Sequence, residues 1–257
     1  MLLDGEPVWG VASLNDQLFV LRSRSSDQVE VYSVAGYSLQ HHLQVPKLSG
    51  LADMVAGVRD CCLYLVDCVT DHVHRVPVDG GSPIHWPVND TSWGISVTPS
   101  HDVLVTCDEA CKLKLFSPVG NLLREIPLFP DVVNPCHAVE RVDGTLVVCH
   151  GAKTETSRRV CLVAADGSPG VTFSSGHTME PRHLTVDSDG FVFVADADGK
   201  VLMLSPGLAC VWEVASPSNG LRWKPWRLCS DGRRLFVAEN KLVDAKWMAG
   251  SVVVFEL

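Results

Sequence analysis

The stretch at residues 181–206, PRHLTVDSDGFVFVADADGKVLMLSP, constrains the fold more than any other part of the chain. Leu184, Val186, Phe191 and Phe193 fall on period-two positions. Between them stands Asp189-Gly190, the pair that a tight hairpin turn favours. Residues 196–199 are polar and turn-forming, residues 201–204 read as a third strand, and Ser205-Pro206-Gly207 turns the chain toward a fourth at 209–214. Four antiparallel strands in about forty residues is the unit of a propeller blade.

The unit recurs along the whole chain. Its most recognisable part is the second strand, an apolar run preceded by a turn and followed by a polar residue. Such runs occur at 18–21, 63–66, 103–107, 146–149, 191–195 and 235–238, and the residues that follow are Arg22, Asp67, Asp108, His150, Asp196 and Glu239. The turns before them, from Asn15-Asp16 to Asp143-Gly144 and Asp231-Gly232, use residue types that tolerate a tight reversal. The expected fold is therefore all-β, one six-bladed propeller of four-stranded antiparallel blades, at about 7–48, 51–88, 92–128, 134–175, 180–216 and 224–257. The last blade has three strands of its own, so residues 1–4 are expected to close it weakly, or upstream residues of a longer parent would do so.

A chain of 257 residues buries enough surface for a core without staples. Most of its ten cysteines sit inside strand patterns, where a small apolar residue would serve, and read as buried free thiols. With no basic-then-apolar leader in MLLDGEPVWG and no run of eighteen apolar residues, the expectation is a monomeric cytoplasmic chain that does not engage a membrane.

Blade five also carries the residues of a family motif: Pro181, Val186, Asp187, Gly190, Phe191, Val192, Val194, Ala195 and Asp196. Blade four keeps Pro135 and Gly144; blade six keeps Pro225, Gly232, Phe236 and Ala238, with Glu239 for the aspartate. On these residues the chain resembles an NHL-repeat propeller over essentially all of its length, similar to the C-terminal propeller of tripartite-motif proteins. The resemblance implies a non-catalytic platform for protein or single-stranded RNA, in some parents the substrate-recognition domain of a ubiquitin ligase. The zinc modules and coiled coil of such parents are absent from this sequence, and no cofactor is expected.

Loops joining second to third strands and loops joining blades emerge on one face, the expected binding face. The inner strands bring Trp9-Gly10, Asp53-Met54, Trp93-Gly94, Cys136-His137, Arg182-His183 and Trp226-Arg227 to the channel mouth. Candidate partner contacts are Trp9, Trp93, His137, Arg182, His183, Trp226 and Arg227, although the tryptophans serve equally as wedges between blades. The carboxylates after the second strands suit capping of the following loop, which leaves Arg22 and His150 as the departures with a functional reading. A protein or peptide partner is the first expectation. RNA is second, because a net charge of −9 opposes phosphate, although basic residues gather near 22–26, at 153–159 and at Arg222, Lys224 and Arg227. A metal-dependent hydrolase or lyase using His137, His150 and His183 is third.

Overall fold

The computed structural model describes residues 3–22, 27–49, 51–151, 159–173, 179–244 and 246–257. Blade one is β1 (Val8–Leu14), β2 (Gln17–Arg22), β3 (Gln28–Ser33) and β4 (Leu39–Gln44). Blade two is β5 (Ala52–Gly57), β6 (Cys62–Asp67), β7 (His72–Pro77) and β8 (Ile84–Pro87). Blade three is β9 (Ser92–Val97), β10 (Val103–Cys107), β11 (Lys112–Phe116) and β12 (Leu122–Pro127). Blade four is β13 (His137–Glu140), β14 (Leu146–His150), β15 (Arg159–Val163) and β16 (Pro169–Thr172). Blade five is β17 (Pro181–Val186), β18 (Val192–Asp196), β19 (Lys200–Leu204) and β20 (Val211–Ala215). Blade six has only β21 (Lys224–Ser230), β22 (Arg234–Val243) and β23 (Lys246–Glu256). Each blade is an antiparallel meander in chain order, and no helix occurs among the described residues.

The turns follow their sequences. Asn15 and Asp16 both take positive φ, 50° and 57°, the two-residue geometry that matches strand twist between β1 and β2. Gly190 at φ 84° does the same service before β18. Between neighbouring blades the apolar faces interdigitate. Phe19, Leu63 and Leu65 fill the layer joining blades one and two, Tyr64 and Val105 the next, and Phe193 and Val237 the layer joining five and six. All are essentially solvent-free, so each interface contributes the same kind of buried apolar layer.

The ring closes through the N-terminal residues. Gly5 and Gly250 form a reciprocal bridge, with Gly5 N to Gly250 O at 3.0 Å and the reverse at 2.9 Å, and Leu3 N donates to Val252 O at 3.2 Å. Residues 3–5 thus close the ring weakly, as expected from the sequence, through one isolated bridge and without forming a fourth strand; residues 1 and 2 lie outside the described residues. A second closure lies deeper. Asn240, buried on β22, accepts from Val8 N and donates to Val8 O, both at 2.8 Å, which joins the last blade to the first inner strand.

Asp67, Asp196 and Glu239, the carboxylates that follow the apolar runs of blades two, five and six, cap loops. Asp67 accepts from Ser49 N and Oγ and from Val69 and Thr70 N. Asp196 accepts from Glu180 and Asp198 N, and Glu239 from Arg222 and Trp223 N and Ser251 Oγ. A carboxylate that gathers backbone donors from the preceding inter-blade loop fixes that loop over its own blade.

Candidate functional site

The six inner strands place one equivalent residue each at a single level of the channel. Strand register identifies them: Gly10 faces Leu21, Asp53 faces Val66, Gly94 faces Thr106, His137 faces Cys149, His183 faces Ala195 and Arg227 faces Ala238. The four large members converge. Arg227 Nε lies 2.8 Å from Asp53 Oδ1 and His183 Nε2 lies 3.5 Å from the same oxygen. His137 Nε2 lies 3.5 Å from Asp53 Oδ2, which also accepts from Ile95 N at 3.0 Å. The two imidazoles pack on each other with ring centroids 3.8 Å apart. Gly94 makes room for His137: a Cβ there would stand 2.9 Å from His137 Cδ2 and 2.7 Å from Cys136 O.

None of the four polar side chains reaches solvent to any useful extent. The sequence expectation of a mouth lined by His137, His183 and Arg227 is thus corrected: they form a plug inside the channel, because each belongs to an alternating inner-strand position that points at the axis. Burial alone would raise the Asp53 carboxyl, but Arg227, His183 and His137 together hold it well below the usual carboxylate range. Burial drives His137 and His183 the other way, and both imidazoles stay neutral at neutral pH; His183 also repels a second charge on His137. The plug is therefore one ion pair flanked by two neutral rings, which satisfies the rule that buried charge comes paired.

Hydrogen bonds fix the tautomers. His183 Nδ1 accepts from Leu228 N at 3.2 Å, so its proton sits on Nε2, facing Asp53. His137 Nε2 lies 3.2 Å from Ile95 O and donates to it. Asp53, His137 and His183 have the ligand types and proximity of a metal centre. A metal on both Nε2 atoms would need their lone pairs, yet those atoms carry the protons. The donor set suits a structural plug and does not fit a cation. The third residue of the expected metal trio is elsewhere: His150 ends β14 opposite Arg159, beside a cavity lined by Asp131, Val133 and Cys161. Burial and then Arg159 push its pKa down to about 4.

Above the plug lie aromatic residues. Trp9 and Trp226 meet edge to face at 5.3 Å, and Trp247 packs against both, at 6.1 and 5.0 Å. Trp247 arrives on the hairpin that joins β22 to β23. There β22 and β23 run on, pairing Leu242 with Trp247 and Val243 with Lys246, so the blade-six ribbon overshoots the others and leans over the channel. Arg182 stacks over Trp226 at 5.6 Å and pairs with Glu180, while Trp93 and Arg182 line a small recess with Pro135 and Cys136. Below the plug the channel stays open as a cavity of about 210 Å³, lined by Ala12, Val55, Ser96, Val139 and Thr185.

Arg22 turns out to be internal. Its Nε pairs with Glu30 at 2.8 Å, Nη1 donates to Glu6 O and Nη2 to Leu3 O, so it anchors the closing N-terminal segment to blade one. Asp53 and Trp247, which organise the plug and its cover, were absent from the sequence-based roster. Asp53 had one signal, its place in the same register as His137, His183 and Arg227.

The molecule is a six-bladed β-propeller whose channel is blocked by a buried polar ring. No family model matches the chain, and no curated protein sequence matches it. Solved structures share its architecture. A catalytically inactive virginiamycin B lyase from Staphylococcus aureus with quinupristin aligns over 100% of this chain and 87% of its own, with TM-score 0.68 and 12% identity. A chain of a nidogen/laminin complex aligns over 90% and 87%, with TM-score 0.71 and 17% identity. Hydrazine synthase from Kuenenia stuttgartiensis aligns over 90% and 76%, with TM-score 0.65 and 15% identity. At such identities the likeness is one of fold.

Proposed function

We propose that this propeller is a non-catalytic, NHL-type interaction module that takes a protein or peptide partner on its long-loop face, as the recognition domain of a larger cytoplasmic assembly. The observation that carries this reading is the overshooting blade-six hairpin. Its tip exposes Leu242, Val243 and Met248, at 45%, 42% and 60%, with Lys241 and Lys246 beside them. Exposed apolar side chains on a rigid ribbon, backed by a tryptophan cluster, are what a protein partner buries on docking. The nidogen/laminin propeller is a distant example of the same fold in a protein complex.

Single-stranded RNA is the weaker reading. The described arginines near the channel are already balanced: Arg227 is tied to Asp53, Arg182 to Glu180 and Arg222 to Asp4 and Glu239. The basic residues at 23–26 and 153–158 lie outside the described residues.

The test is selection of a random peptide library on the purified chain, with the Leu242→Ser/Met248→Ser double variant as the competitor. Enriched peptides should lose binding to the variant by tenfold or more, about 1.4 kcal/mol. Peptides that bind both proteins equally would remove the hairpin from the interface and defeat the proposal.

A further inference from the structure

His150 stands outside the channel and has a cavity of its own. It ends β14 directly opposite Arg159 on β15, so both side chains leave the same face of the sheet. Cys161, two residues on from Arg159, and Thr172, its partner on β16, share that face. The face is the one packed toward blade three, since Cys161 and Val148 belong to the apolar layer that also holds Leu104 and Leu113. The linker from β12 to β13 is pinned beside it by Gly151 N, which donates to Val133 O at 2.8 Å. Linker and sheet together line a cavity of about 520 Å³, within the range of about 300–1,000 Å³ that small-molecule sites occupy. Gly151 and Gly170 line it without a side chain to fill it.

Three polar groups around this space lack the partners that similar groups have elsewhere in the molecule. His150 is 5% exposed, yet neither its Nδ1 nor its Nε2 has a hydrogen-bond partner in the protein. A buried ring in that state forfeits the bonds it made to water when unfolded, and only the cavity side can restore them. Burial keeps the ring neutral at neutral pH, so it presents one donor and one acceptor. Arg159 and Asp131 are exposed on the cavity wall, and neither forms an ion pair with a described residue. Both charges reach the imidazole, with opposite effects on its proton. By contrast, Arg22 is matched by Glu30 and Arg234 by Asp231.

We propose that this cavity binds a small zwitterion, an amino acid whose carboxylate pairs with Arg159 and accepts from His150 while its ammonium pairs with Asp131. A guanidinium takes a carboxylate through two parallel bonds, and the neighbouring imidazole N–H adds a third donor. One ligand carrying both signs suits the site better than a simple anion, which Asp131 would repel, or a simple cation, which Arg159 would repel. Val132 and Cys161, both buried, give the ligand's carbon chain an apolar floor. Burial pushes the Cys161 thiol up to about 12, so that floor stays uncharged. The site is independent of the blade-six hairpin and of its partner.

The experiment is calorimetric titration of the full chain with the common α-amino acids and with straight-chain ω-amino acids, whose lengths report the separation of the two charged ends. At least one should bind with a Kd of about 1 mM or tighter. Its N-acetyl derivative and its methyl ester, each lacking one charge, should bind at least about tenfold more weakly. Arg159→Gln and Asp131→Asn, exposed changes that leave the core intact, should have the same effect, while Lys200→Gln on blade five should have none. Binding should also move the imidazole C–H resonances of His150, assigned by their loss in His150→Gln. No amino acid bound at about 10 mM, a binder indifferent to Arg159→Gln, or His150 resonances that stay in place would overturn the assignment. An N-acetyl derivative that binds as well as its parent would make this an anion site and overturn the zwitterion.

Discussion

The two ends of the channel are built on the same six strands and solve opposite problems. Above the level of Asp53 the chain spends its largest side chains, three tryptophans and a stacked arginine, on covering the opening. Below that level the inward positions shrink to Ala12, Val55, Ser96 and Thr185, and a cavity of about 210 Å³ remains. The contrast shows that six blades leave a gap that side chains of ordinary size do not fill. Whatever fills it must be long, such as arginine and histidine, and must bring its own counter-charge.

The sharpest way to break this contrast is at the plug. Asp53→Ala leaves Arg227 buried without its partner and should cost about 3–5 kcal/mol in chemical denaturation. A loss below about 1 kcal/mol would mean that the ring beneath the tryptophans contributes little to closure.

Acid should act next. His150 is held neutral down to about pH 4, and burial lowers His137 and His183 as well. A depressed histidine pKa means that the unfolded chain binds the extra proton first. Stability is therefore full above the unfolded pKa near 6.5 and is lost as pH falls from there toward the folded value. For His150 the loss is on the order of 2–3 kcal/mol across that window. His150→Gln should flatten the slope of unfolding free energy against pH by up to one proton; an unchanged slope would show that His150 already titrates normally.

A smaller effect belongs to the glycine that makes space for His137. Gly94→Ala drives a methyl group against Cys136 O and the imidazole, and should cost about 1–3 kcal/mol by thermal unfolding. Below the plug the same kind of change should be silent. Thr185→Val, lining the lower cavity, should shift stability by no more than about 0.5 kcal/mol. A larger loss there would erase the distinction between the two halves.

Much of the ring was legible in the chain itself. The second strands of blades one to five fall within a residue or two of their apolar runs, since such a run has nowhere to go but between two blades, and the Asp67, Asp196 and Glu239 caps follow from turn chemistry. The register of the inner strands was legible too, because Asp53, His137, His183 and Arg227 occupy matching places. Their meeting was not. Six-fold closure brings residues from four different blades to one axis, and no local pattern reports whether the space there is water or packed side chain. His150 looked equivalent to the channel histidines only as a histidine; it lies on a second strand, one layer outward. The overshoot of β22 and β23 was hidden because KLVDAKWM lacks a Gly-containing turn pair, and Asp244 takes the positive φ of 48° instead.

Arg22 and Asn240 give this architecture a timing problem. Both hold residues 3–8 against partners that include the far end of the chain, with Asn240 gripping Val8 from 232 positions away. At about 5–20 residues per second, synthesis takes on the order of 10–50 s. Through that interval the first inner strand is already out of the ribosome, while the strand that will flank it does not yet exist. Blade one must spend that time with Val8 and Val11 uncovered on the side blade six will occupy, and the buried latch can shut only when the last blade is made.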